Sequence, residues 1–224
     1  LFSFGTALHY AIQNKFMETV RYLISIPEID INISNCKSHT PLTLATEMGE
    51  VEIVSMILAH PTFDHSKSNI NFAFFITNDK EILDMLYRNP NLDINYQYDK
   101  SILTQSFKSS TSIITSLMHA LMHKNHHKLE LIISHPNFDQ IKSNAKRAIF
   151  DMIDDSLSDI FKKLIGIIND ANFSSFSGEK FLSYLAKQNK TNLLEIIFSM
   201  DLTIANDHLL SLLITLVSET PPSS

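Results

Sequence analysis

The chain has 224 residues, 44% of them hydrophobic, with four glycines, no tryptophan and a formal net charge of −6. That is enough apolar material for one or two ordinary domains or one elongated array. So few glycines leave little material for a glycine-rich phosphate loop. The negative balance also argues against a nucleic-acid surface, which needs clustered positive charge.

In chain order, Thr6-Ala7-Leu8-His9-Tyr10-Ala11 opens a segment that closes at Ile26-Pro27-Glu28-Ile29-Asp30. At an offset of 34 residues, Thr40-Pro41-Leu42-Thr43-Leu44-Ala45 opens a second, closing at His60-Pro61-Thr62-Phe63-Asp64. The same ending recurs at Asn89-Pro90-Asn91-Leu92-Asp93 and at His135-Pro136-Asn137-Phe138-Asp139. Counting back from Asp139 by the Thr6-to-Asp30 distance reaches Thr115, with Leu117 and Ala120 following. Counting back from Asp93 reaches Asn69, and there Phe74 replaces the alanine.

Ahead of each proline stand Val20, Leu23 and Ile24; Val54, Ile57 and Leu58; Leu83, Leu86 and Tyr87; and Leu129, Ile132 and Ile133. Spacings of three and four put each set on one helical face. Every segment therefore reads as a short helix, a turn, a second helix with a buried stripe, and a loop. Proline ends the second helix, because its ring clashes with a helical predecessor. A helix pair this thin cannot bury its apolar face alone, so matched copies predict an all-α solenoid. The run Phe72, Phe74, Phe75 and Ile76 is assigned to the core.

The units run at about 1–34, 35–68, 69–98 and 99–140. Asp93 to Asp139 is twelve residues longer than the regular spacing, and the surplus lies within 96–114. There Ile102, Leu103 and Phe107 suit a short extra helix, while Ser106, Lys108 and Ser109-Ser110-Thr111-Ser112 suit a loop. Insertions in a solenoid map to one face, often the binding face; an inert decorated loop is the other reading. Residues 141–217 read as degenerate helical repeats continuing the stack. Ala186-Lys187-Gln188-Asn189-Lys190 echoes Ala11-Ile12-Gln13-Asn14-Lys15, and Leu193, Ile196 and Ile197 make another stripe. A separate small helical domain is the alternative. Residues 218–224 form a tail ending Pro221-Pro222-Ser223-Ser224. That tail, and a start inside a repeat, suggest a piece of a longer chain.

The openings Thr6-Ala7-Leu8-His9-x-Ala11 and Thr40-Pro41-Leu42-x-x-Ala45 resemble the Thr-Pro-Leu-His-x-Ala of ankyrin repeats. Asp30-Ile31-Asn32 and Asp93-Ile94-Asn95 resemble that family's Asp-Val-Asn at the start of its hairpin loop. Gly49 stands where the family has glycine between its helices; Lys15, Asn78 and Lys124 stand there in the other units. The resemblance covers roughly residues 1–140 and implies stacked helix-turn-helix units with short hairpin loops. It also implies an intracellular, cytoplasmic monomer that binds another protein and needs no cofactor or metal. Family arrays bind through a concave face of loop tips and inner helices. The corresponding positions are Gln13, Asn14, Asn35, Lys37, His39, Glu47, Met48, Met122 and His123. Tyr96 and Tyr98 lie in the loop after the third unit, either as partner anchors or packed on the stack. The motif histidine His9 implies a structural hydrogen bond in the turn between units. A second reading is a regulatory or targeting segment of a larger enzyme or transporter.

Other chemistry fares worse. His119 and His123 are one helical turn apart, a spacing that can hold zinc, with His126, His127, His135 and Asp139 nearby. The metalloprotease pattern His-Glu-x-x-His is absent, and the repeat already accounts for the segment. Asp151, Asp154, Asp155 and Asp159 read as helix-capping acids, as in Asp155-Ser156-x-x-Asp159. The same acids interleave Lys146, Arg147, Lys162 and Lys163, which makes a solvated face. The lone Cys36 fits a reducing compartment and has no neighbouring base to activate it. The apolar run Leu209–Val217 falls short of the roughly 20 residues that span a bilayer, and no signal peptide is visible. The chain reads as a binder that neither catalyses a reaction nor inserts into a membrane.

Overall fold

The computed structural model describes residues 5–99, 113–151, 155–168, 185 and 190–199. They fall into two compact units, Leu1–Asn137 and Phe138–Ser224. The readings placed on 100–112, on Asp154, on Ala186–Asn189 and on the run and tail after residue 200 lie outside the described residues.

Among its described residues the first unit holds four helix pairs. They are α1 (Ala7–Gln13) with α2 (Met17–Ile24), α3 (Pro41–Glu47) with α4 (Val51–Leu58), α5 (Ile70–Ile76) with α6 (Lys80–Tyr87), and α7 (Ser116–Met122) with α8 (His126–Ser134). Thr6, Thr40 and Thr115 cap the first helices through their hydroxyls, satisfying N–H groups a helix start leaves open. First helices pack on first helices and second on second along the series. The buried stripes meet in between: Val20, Val54, Ile57, Leu83, Leu86, Leu129 and Ile132 are fully buried, each worth about 1.5–3 kcal/mol. Leu23 departs from the pattern and is only half-buried.

Turns one, two and four share one construction. The N–H of Phe16, Glu50 and Asn125 donates to the carbonyl of Ala11, Ala45 and Ala120, each at 2.9 or 3.0 Å. Lys15, Gly49 and Lys124 adopt φ of 57°, 71° and 51°. Only glycine takes that left-handed conformation without steric cost.

The third unit corrects the repeat alignment. Ala73, not Phe74, fills the small-residue position and is fully buried; Phe74 is the bulky core residue beside it. The connection into this unit is short. After Asp64 the chain makes one tight turn, Ser68 N–H donating to Asp64 O at 2.8 Å, and enters α5 through left-handed Asn69 (φ 57°). Asp64 fastens this turn by accepting from the N–H groups of Ser66 and Lys67; those bonds, Lys67's first, hold its carboxyl below the usual range.

The second unit repeats the device. Asp139 accepts from Ile141 and Lys142, and left-handed Asn144 (φ 54°) leads into α9 (Ala145–Asp151), where Ala148 is fully buried. Asp64-x-x-Lys67-Ser68-Asn69 and Asp139-x-x-Lys142-Ser143-Asn144 thus alternate with the Asp-Ile-Asn connections after Asp30 and Asp93. The underlying repeat is a pair of unlike units.

In the long connections asparagine ties successive units. Asn32 donates to Thr62 O (2.7 Å) and accepts from Asp64 N–H and the Ser68 hydroxyl. Asn95 donates likewise to Asn137 O (2.8 Å). The flanks of the insertion form an antiparallel pair, β1 (Gln97–Asp99) with β2 (Ile113–Thr115), Tyr98 opposite Ile114.

Beyond α9, a 3-10 turn (Asp155–Leu157) leads into α10 (Ser158–Ile168), with Asp159 in its first turn. α10 packs on both α9 and α11 (Thr191–Ser199). Lys190 N–H donates to Leu185 O at 2.9 Å, the same bond that closes the first-unit turns. Leu185 is buried. Of the expected stripe, Leu193 and Ile197 are buried and Ile196 is half-buried.

Candidate functional site

His9 shows how the first turn is built. Its Nε2–H donates to His39 O (2.9 Å), across to the next unit, leaving Nδ1 to accept from the Thr6 N–H (3.2 Å) and hydroxyl (2.9 Å). Burial holds its pKa below the usual histidine value, which keeps Nδ1 free to accept. In the second unit Thr43 replaces this histidine, and the Thr40 hydroxyl itself donates to Ser68 O (2.8 Å). His9 serves structure, as the resemblance implies.

The expected partner-facing residues separate into two groups. On the first two units, Gln13, Lys37 and Glu47 are exposed. Asn14 is exposed but donates back to Tyr10 O (2.8 Å). Asn35 organises the loop, its side-chain oxygen accepting from the N–H groups of Lys37 (2.9 Å) and His39 (3.0 Å). His39 stands 3.4 Å from Glu47, and Met48 is a half-buried helix cap. These bonds lock the loop and leave Lys37 at its tip, beside left-handed Ser38.

The second group is a contiguous aromatic cluster on units three and four. Phe75 is its hub. Its ring lies 5.3 Å from Tyr98, 6.0 Å from Tyr96, 6.1 Å from Phe72 and 4.5 Å from His119. Phe72 also meets Tyr98 at 5.2 Å, and His119 meets His123 at 4.4 Å. Tyr96, Tyr98, Phe72 and His119 are half-buried, His123 is exposed, and Met122 beside it is 64% exposed. Both tyrosine hydroxyls are pushed upward in pKa by burial, then by Tyr98 for Tyr96 and by Asp99 for Tyr98. The tyrosines thus pack on the stack and still present an edge to solvent.

Phe72, Phe75 and His119 were not foreseen as site residues. A helical period applied inside the run separates Phe72, Phe75 and Ile76 from Ala73 and Phe74, and that was the missed signal. Phe72 and Ile76 are accordingly half-buried and not core.

The zinc reading gains no support. Among the described residues no group of three or more His, Cys, Asp or Glu could hold a metal. His127 pairs with Asp84 at 2.7 Å and His135 sits edge-on to Tyr87. Cys36 is exposed. Among the described residues no helix is long and apolar enough to cross a membrane.

Residues 3–69 match the family model described as ankyrin repeats (3 copies). This part of the chain is built of ankyrin repeats. Neither the comparison with curated proteins nor that with solved structures gives a match. Ankyrin repeats are generally protein-interaction modules and typically not enzymes. The match ends at Asn69, where the ankyrin connection gives way to the short Asp-x-x-Lys-Ser-Asn turn.

Proposed function

We propose that the chain is a monomeric, non-catalytic scaffold that seats a partner protein on its loop-and-inner-helix face. The observation that carries this is the aromatic cluster around Phe75 with exposed Met122 beside it. Rigid aromatic rings at a half-buried surface supply contact area at low entropic cost, and such residues dominate interface energetics. Tyr96, Tyr98, Met122 and His123 form the anchor. Lys37 and Glu47, with Gln13, Asn14, Asn35, His39 and Met48 around them, form a polar flank on the first two units. Residues 141–217 are proposed as further degenerate repeats, on the Lys190–Leu185 bond and the α10–α11 packing.

Affinity capture from the native cell identifies a partner, and its Kd is then measured with purified protein. Tyr98→Ala should weaken binding on the order of tenfold or more, and Lys37→Glu should weaken it less. Tyr22→Ala, on the outer helix α2, should leave it unchanged. A Kd untouched by both Tyr98→Ala and Lys37→Glu refutes the face chosen.

A further inference from the structure

Behind the aromatic cluster lies a fully buried lysine. Lys128, on α8, donates from Nζ to Phe75 O (2.7 Å) and Thr77 O (3.0 Å), and Nζ lies 5.4 Å from the centre of the Phe74 ring. Those carbonyls belong to the end of α5, which leaves its helix through extended Thr77 (ψ 146°) without the left-handed residue the other three turns use. The donor that an ankyrin turn supplies from its own backbone comes here from the neighbouring unit.

We propose that Lys128 is the positioning residue of the partner-binding face: by capping α5 it fixes the backbone that aims Phe75, and proton uptake at its amine loosens the cap and the cluster together. This rests on the face assigned under Proposed function.

A neutral amine has two N–H donors, and the two carbonyls take both. An ammonium keeps those two bonds in charge-assisted form, but its third N–H meets only the Phe74 ring, and no carboxylate among the described residues offsets the desolvation of its charge. The charged groups of the surrounding elements are engaged elsewhere. α5 carries no titratable residue. On α6, Asp84 takes His127, while Lys80 and Glu81 are exposed; Asp79 caps that helix through Ile82 N–H. On α7, His119 lies against Phe75 and His123 against His119. On α8 and its approach, Lys124 and His126 are exposed and Glu130 is half-buried. No ion pair compensates Nζ among the described residues, and burial lowers its pKa to about 7. Charge taken up near neutral pH therefore favours opening the α5–α8 contact over burying it.

The test uses the 224-residue chain with lysine and aromatic isotope labels, followed by NMR from acid to alkaline pH. The forms compared are wild type, Lys128→Met, and a His119→Gln/His123→Gln background that removes the neighbouring imidazoles. Expected is a Lys128 Cε resonance titrating near neutrality, well below the other lysines. Phe75 and Tyr98 ring resonances should move at the same midpoint, persist in the histidine-free background and stay still in Lys128→Met. Lys128 titrating with the other lysines overturns the proposal. So do ring signals that stay fixed through its titration, or that still move in Lys128→Met. If Lys128→Met does not fold, the histidine-free background decides alone. The titration is read without a partner, so it can fail while the Kd series above succeeds, and the reverse.

Discussion

Replacing His9 tests the unit-to-unit hydrogen bonding most directly, because the protein contains its own control in Thr43. His9→Ala removes the Nε2–H donor to His39 O and the Nδ1 acceptor for the Thr6 N–H and hydroxyl. Leaving a partly buried carbonyl unpaired costs about 1–3 kcal/mol, and weakening the cap adds about 1 kcal/mol. The expected loss is about 2–4 kcal/mol. His9→Thr should behave differently. It recreates the Thr40–Thr43 arrangement, freeing the Thr6 hydroxyl to donate to His39 O as Thr40 donates to Ser68 O, so its cost should stay within about 1 kcal/mol.

The two variants also differ in pH dependence. Burial lowers the His9 pKa in the fold. Below the ordinary histidine value the unfolded chain therefore binds more protons, and stability falls as pH drops through that window. Protonation would also turn Nδ1 into a donor facing the Thr6 donors. Urea unfolding at mildly acid and at neutral pH, with amide exchange at Ala11 and Ile12, reads both effects. His9→Thr should lose this share of the acid sensitivity. A His9→Thr variant as damaged as His9→Ala, or one that keeps the full acid sensitivity, refutes the assignment.

Lys124→Gly should stabilise the fold by about 1 kcal/mol, because Lys124 is held at φ 51° where glycine is unstrained. Asn78→Gly should instead cost up to about 1 kcal/mol, since no positive φ is required there; thermal melts of the pair separate the two turn types, and equal effects would contradict the irregular third turn. Ile57→Ala, at a fully buried site, should cost about 2–5 kcal/mol in urea titration, and a loss below 1 kcal/mol would place that stripe outside the core. Together with the Tyr98 binding series and the Lys128 titration, these measurements cover the cap, the turn, the core and the proposed face.

The sequence by itself determined the helix pairs and their buried stripes, because those depend on residues a few positions apart. Val54 and Ile57 had to share a face, whatever surrounded them. Met122 was proposed by carrying a repeat position over, and Tyr98 from its place in the loop after the third unit. Tertiary structure alone decided the rest. That Ala73 and Phe74 are both fully buried while Phe72 is only half-buried was decided by how the neighbouring helices pack on α5. Phe75 became the hub of a surface cluster because Tyr96, Tyr98 and α7 come against α5, and Lys128 a buried cap because its side chain reaches the end of α5 from the next unit. Contacts between residues some fifty positions apart are set by how one unit leans on the next, and no local pattern encodes that angle.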